Sequence, residues 1–489
     1  ISFPYYARLA NIQMLVTPFS MLPLAILALI WFIPYVFRHG KFPIETTPIF
    51  FFVMAAVVSN AAIFFFEIPT FKGLSILGQE LRIFLTLGVG LLFYLITATY
   101  VNDEEKLQKT LRWITIGGAV LIGWTLLQAY FITVHDVSYP KWFITIRDAL
   151  VYQRYQSQVS TRTSGLAYES SWFTHMLVLL YLPLWLTSAI QRTSSFKVRL
   201  FKVITVEHVL LFLGLIVFML ASPRISLVAL MLIALFFFVK LILRFYRRII
   251  RNIEQKRKQP VRHPRLLRAG MGALLIIGTL AFSLGAGIGL LKLGSTRDWR
   301  LELIFANPPQ PEEILKVLTL DDNTLINLSN RFAFMERTIY WVTGANVFND
   351  YPLLGVGLGN SGFFALQKVP HQAFYSYEIR DALFRAVTLT NTKNIWTRLL
   401  SETGLVGFGI FAAWLWVAWR SASTALKSRS VTLRWVASMG QLALIAYLAE
   451  GFSIDSFAMP YLWVFMGLIA ATGMISRKID APSTTPVDK

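Results

Sequence analysis

Arg224 lies in Ala221-Ser222-Pro223-Arg224-Ile225-Ser226, between two apolar runs whose turn leaves almost no loop to carry a charge into water. Two chemistries are open to it. An arginine at a helix end can extend its guanidinium to the interface, or its rigid fork can hold a phosphate bidentately at the outer boundary of a membrane. A second set runs Arg331, Arg337, Trp341 and on into Asn349-Asp350-Tyr351-Pro352-Leu353-Leu354-Gly355-Val356-Gly357-Leu358-Gly359-Asn360. The apolar spacing over 334–348 predicts an amphipathic helix that Pro352 and the glycines end. Arg337 and Trp341, four residues apart, then share one face. Gly357-Leu358-Gly359-Asn360-Ser361-Gly362 formally fits the dinucleotide-binding fingerprint. It follows a helix where that motif requires a strand, so the glycines are read as a tight turn or a close backbone approach. The third set is Lys393-Asn394, followed after nine residues by Gly404-Leu405-Val406-Gly407.

The elements that must position these residues are membrane helices. The 489 residues are 55% hydrophobic and 15% charged, against ~45–50% and ~25% for a soluble globular chain. The sequence therefore predicts an all-α polytopic membrane protein. Eleven spans are expected, at 14–37, 46–66, 83–101, 113–134, 170–190, 209–222, 225–239, 269–291, 403–419, 435–450 and 456–476. A twelfth is expected if a native start is missing ahead of Ile1. N-terminal helices with their connections occupy 1–291, a large helical loop 292–402, C-terminal helices 403–476 and a tail 477–489. The connections 38–45, 102–112, 191–208, 240–268 and 420–434 and the tail alternate to one side and carry 27 of the 46 Lys and Arg against eight acids, a net of +19. The positive-inside rule makes that side cytoplasmic and leaves the loops 135–169 and 292–402 exported. The basic stretch 240–268 is read as an orientation signal lying on anionic lipid rather than a nucleic-acid site. With no cysteine, a disulfide framework, a thiolate metal site, an iron–sulfur cluster and a cysteine nucleophile are all excluded.

Taken together, Arg337-x-x-x-Trp341, the Tyr351 to Asn360 segment and Asn394-x9-Gly404-x-x-Gly407 resemble the O-antigen polymerase and ligase superfamily of bacterial membrane glycosyltransferases. The resemblance is best over about 331–407. It implies a donor glycan linked to undecaprenyl pyrophosphate, a glycan acceptor, inversion at the anomeric carbon, and neither metal nor cofactor. It also implies a site on the exported face of the bacterial cytoplasmic membrane. A chain-length regulator or export proteins are the further partners it suggests. By position Arg224 and Arg337 look like the family arginines that hold the pyrophosphate, with Arg331 and Arg162 as additional candidates. Arg162 to Ser171 is similar to a segment of members that polymerise exopolysaccharides. One position departs: the family commonly has His where this chain has Lys393.

Cleavage of the donor leaves negative charge on the pyrophosphate, which convergent arginines stabilise. The acceptor hydroxyl needs a group to take its proton. Lys393 is either that base, with its pKa lowered among arginines, or a third phosphate contact. In the latter case Glu169 is a candidate base, unless it pairs with Arg162 or another loop arginine. His371 is a further base or sugar contact, with a solvated loop histidine as the alternative. Trp341 and Trp396 are either packing residues or sugar platforms. A polymerase is preferred, a ligase transferring the finished glycan to lipid A core or protein comes next, and a lipid-linked-glycan transporter represents a different class.

Overall fold

The computed structural model describes residues 20–135, 139–150, 162–167, 169–200, 203–221, 224–256, alternate stretches of 270–295, 299–318 and 321–480. Ser222 and Pro223, part of the expected loop 135–169 including 151–161 and Tyr168, the basic residues 257–268 and the tail from 481 lie outside them. Among the described residues, strand is confined to one short antiparallel pair, Arg199–Leu200 with Ile204–Thr205. The membrane-type helices of the first part are α1 Met21–Arg38, α2 Ile44–Ala61, α3 Ile76–Tyr100 and α4 Glu104–Val134. A short α5, Lys141–Leu150, is followed by α6 Ser170–Gln191, α7 Val206–Leu220 and α8 Arg224–Lys256. The described residues between 270 and 295 are helical, and Phe282 stacks on Phe238 of α8 at 4.0 Å. Four extramembrane helices come next: α9 Trp299–Ala306, α10 Pro311–Leu318, α11 Asp322–Arg331 and α12 Met335–Asp350. After them come α13 Tyr377–Phe384, α14 Ile395–Ala425, α15 Val431–Glu450 and α16 Pro460–Asp480.

Among the described residues nine helices are long and apolar enough to cross a membrane, and Val206–Leu220 is a shorter apolar helix at the sixth expected span; the start of the first expected span, 14–19, and much of the eighth, 269–291, lie outside the described residues. Several boundaries differ from expectation, the third and fourth spans starting earlier, at Ile76 and Glu104; two others have clear local reasons. The seventh span does not stop at 239: α8 continues unbroken to Lys256, because Lys, Arg, Leu and Ile follow one another with neither Gly nor Pro. The ninth begins at Ile395 rather than 403, because Asn394 caps it with its side-chain oxygen 2.8 Å from the Trp396 N–H.

Helix alternation sorts the ends into two sets. The ends of α2, α4 and α15 and the starts of α3, α6, α8, α14 and α16 lie together at one end of the bundle. The connections that carry the excess positive charge lie at the other. That second end is tied by Glu45, which accepts from Arg477 at 2.5 and 2.9 Å and from Ser421 at 2.9 Å.

The first end is built on an interlock between the 351–360 segment and α14. Gly404 interrupts α14 with φ 62° and ψ −167°. The amides just past the break turn outward: Leu405 donates to Pro352 O at 2.8 Å and Val406 to Leu353 O at 3.2 Å. Val356 N–H donates back to Ser401 O at 3.0 Å. Gly355, at φ 67°, lies against the Glu402–Thr403 peptide, where a Cβ would come within 2.5 Å of backbone. From α2, Asn60 exchanges two hydrogen bonds with the Leu358 backbone, at 2.8 and 3.2 Å.

A Cβ at position 404 would lie 2.2 Å from the Leu353 carbonyl oxygen, at a φ that side chains rarely adopt. Gly404→Ala is expected to destabilise the protein by about 2–4 kcal/mol. Gly409→Ala, five residues on and with nothing within 4 Å, should be neutral or stabilising by up to about 1 kcal/mol. Thermal melts of the two variants check this; equal melts would show that the interlock is not under steric control.

Candidate active site

At the interlocked end the helices enclose a cavity of about 1070 Å³. Arg82, Arg147, Arg162, Arg224, Arg300, Arg337 and Arg398 line it together with Lys393, and Glu169, Glu336, Glu378, Glu402 and Asp455 are the carboxylates on its wall. Sequence-distant elements therefore deliver a concentrated positive field, as binding of a multiply charged anion requires.

Three of these arginines, Arg224, Arg337 and Arg162, donate to backbone carbonyls. Arg224, at the start of α8, donates to Ala333 O at 3.0 Å and lies over the Phe334 ring, 5.5 Å from its centre. Those two residues lead directly into α12, which carries Arg337 to the same cavity. Arg337 reaches the carbonyls of Lys393 at 3.4 Å and Ser453 at 3.5 Å. Arg162 donates to Ala221 O at 2.9 Å, so it is held beside the turn before Arg224. Gln128 of α4 accepts from the Ser164 and Gly165 amides at 3.1 and 2.8 Å, anchoring that segment.

Deeper in the wall, Arg398 and Glu402 are one turn apart on α14 and pair at 2.9 Å, both buried. Glu402 also accepts from Gly359 N at 2.8 Å and Ser361 Oγ at 2.7 Å. It therefore joins the cavity wall to the glycine segment. Lys393, in the left-handed region at φ 52°, places Nζ 3.5 Å from Asp455. Burial alone would raise the Asp455 carboxyl, but Lys393, Arg398 and Arg337 outweigh it and hold it below the usual carboxylate range.

Of the residues singled out from sequence, the structure brings Arg162, Glu169, Arg224, Arg337 and Lys393 to this cavity. Four others lie elsewhere. Arg331 pairs with Glu313 at 2.7 Å on the exposed side of α11. His371 is exposed against Phe374 and Tyr375. Trp341 packs between Phe334 and Phe452, and Trp396 packs on Tyr447 with its N–H donating to Leu448 O at 3.2 Å. Reading by motif missed Arg82, Arg147, Arg300, Arg398 and Asp455. Only the i, i+4 pair of Arg398 with Glu402, beside Asn394, carried a local signal. Among the described residues no group of three His, Asp and Glu side chains converges as a metal ion would require.

Fold and cavity together define a polytopic helical membrane protein with an arginine-lined cavity at one end of its bundle. Residues 209–412 match the family model described as O-antigen ligase, so this stretch of the chain is similar to that family. The match covers Arg224, Arg337, Lys393 and the interlock. No curated protein matches the chain.

Because its folded pKa is lowered, Asp455 contributes stability that is fully present above about pH 4, its unfolded value, and is lost as pH falls through the folded value. Asp455→Asn should cost about 1–3 kcal/mol at neutral pH, and the gap from wild type should close on acidification. Unfolding followed at a series of pH values tests this; a gap independent of pH would remove the charge from the explanation.

Proposed function

We propose that the protein is a membrane glycosyltransferase that polymerises undecaprenyl-pyrophosphate-linked repeat units on the outer face of the bacterial cytoplasmic membrane. The observation that carries this reading is the convergence of seven arginines and Lys393 on one cavity. That cavity lies at the bundle end opposite the positively charged connections, so the positive-inside rule assigns it to the exported side. A lipid-linked donor reaches such a site from the membrane with its diphosphate at the boundary. At about 1070 Å³ the cavity lies at the upper end of the ~300–1,000 Å³ range of ligand sites, which suits a large substrate.

In this reading Arg224, Arg337 and Arg162 hold the diphosphate. As the anomeric C–O bond breaks, charge builds on the leaving pyrophosphate, and fixed guanidinium groups in a poorly hydrated site stabilise it. The acceptor hydroxyl attacks from the opposite face of the sugar, inverting the anomeric carbon. Lys393 Nζ lies 3.5 Å from the Asp455 carboxylate on the same wall as Arg337 and Arg398, a placement that supports the role of third phosphate contact over that of base. The description of the matched family favours a second reading, a ligase, which shares the donor chemistry and differs in its acceptor.

Incubating the purified protein with a lipid-pyrophosphate-linked repeat unit should give a ladder of products and release undecaprenyl pyrophosphate. A single adduct on an added lipid A core supports the ligase, and no pyrophosphate release overturns the transferase reading. In the same assay Lys393→Ala should weaken donor binding about tenfold or more, whereas Lys393→Arg should retain it. Unchanged binding with abolished turnover in Lys393→Ala would return the base role to Lys393.

A further inference from the structure

Two ionisable side chains meet at membrane depth and are not used by the pyrophosphate-binding scheme. His175 of α6 and Glu450 at the end of α15 are 1% and 0% exposed and join through Nδ1 and a carboxylate oxygen. Ionisable residues inside membrane helices are costly, and a buried ion pair adds little net stability over apolar residues of the same size. A functional use is the better explanation of this one.

Its position supplies that use. His175 lines the cavity. Its neighbour Thr174 accepts from the Ser226 hydroxyl at 3.0 Å, which sets this turn of α6 against α8 two residues beyond Arg224. On the other side, the Ser453 and Ile454 amides donate to Glu450 O at 2.8 and 2.9 Å, and Ser453 O is a carbonyl that Arg337 reaches. The pair is thus tethered to the settings of both arginines. A π-helical turn, Leu177–Tyr181, follows His175 directly; such turns are frequent where a helix positions functional groups.

The ring has one nitrogen to spare. Nδ1 is engaged by Glu450, whereas Nε2 is buried with no hydrogen-bond partner among the described residues. A carboxylate on Nδ1 selects the tautomer whose Nε2 lone pair is free, and it stabilises the imidazolium formed when that nitrogen takes a proton. Other carboxylates of the wall are occupied or wet. Glu169 accepts from Ser171, Glu336 from Ser376 and Glu402 from three donors, Asp455 pairs with Lys393, and Glu378 is exposed.

We propose that His175, oriented by Glu450, is the base that takes the acceptor's proton, an inference that rests on the transferase reading above. The acceptor oxygen forms its bond to the anomeric carbon as the bond to the pyrophosphate breaks, and the electron pair of that bond leaves with the phosphate. The hydroxyl proton passes to Nε2, and the imidazolium later releases it to solvent. Glu450 does not touch the reacting atoms and acts as a positioning residue.

The test uses the full chain with an undecaprenyl-pyrophosphate-linked repeat unit and measures donor affinity and turnover separately. In His175→Ala, turnover should fall about 100-fold or more with donor affinity within about threefold of wild type, and imidazole in the medium should restore part of the rate. Glu450→Gln should lose turnover by about 10–100-fold at unchanged donor affinity. Turnover of His175→Ala near the wild-type rate, or a loss matched by equally weakened donor binding, overturns the proposal. Should His175→Ala not fold, His175→Gln replaces it, since it keeps a hydrogen bond to Glu450 but has no basic nitrogen; near-wild-type turnover there overturns the proposal equally. A wild-type protein that does not consume this donor overturns the transferase reading itself, a result distinct from active His175 variants.

Discussion

The site depends on two backbones approaching more closely than side chains allow. Gly355 lies on the Glu402–Thr403 peptide and Gly404 on the Leu353–Leu354 peptide, so each segment takes the space a Cβ of the other would fill. The contact breaks α14, and the amides freed by the break are satisfied by the carbonyls of Pro352 and Leu353. This single arrangement fixes the first half of α14, with Arg398 and Glu402, relative to the second half in the bundle. Through the hydrogen bonds of Glu402 to Gly359 and Ser361, it also fixes one wall of the cavity.

On that frame the electrostatics become intelligible. Seven arginines around one cavity repel one another unless something compensates. Carboxylates and backbone carbonyls do so unevenly: Glu402 holds Arg398 in the wall, and Asp455 faces Lys393. Arg224 and Arg337 donate to the carbonyls of Ala333 and of Lys393 and Ser453. A carbonyl orients a guanidinium without neutralising it. The preorganisation is present before any ligand arrives.

Much of this was legible in the sequence, for definite reasons. Long apolar runs have one stable fate in a bilayer, so the spans could be placed by composition, and the helix 335–350 followed from its period and from Pro352. Arg224 announced itself by standing where there was no loop to carry it. The motif Asn394-x9-Gly404 was visible as spacing, but its physical content, a capped half-helix ended by a backbone contact some fifty residues away in sequence, was not. Arg82, Arg147 and Arg300 reach the cavity only through tertiary packing, and nothing local distinguishes them from solvated arginines. Glu450, by contrast, carried an overlooked signal, since it is an acid at the end of an apolar run. Arg331 lies away from the cavity because its helix turns it toward Glu313, and the two tryptophans pack, which was one of the two roles their sequence left open.

The central claim is that this cavity holds the diphosphate of a lipid carrier. An experimental structure of the protein with undecaprenyl pyrophosphate bound tests it most directly. The account predicts phosphate oxygens within about 2.7–3.2 Å of the guanidinium groups of both Arg224 and Arg337, with the lipid tail leaving toward the membrane. A diphosphate seated at the basic end of the bundle near Arg477, or contacting neither arginine, would contradict it.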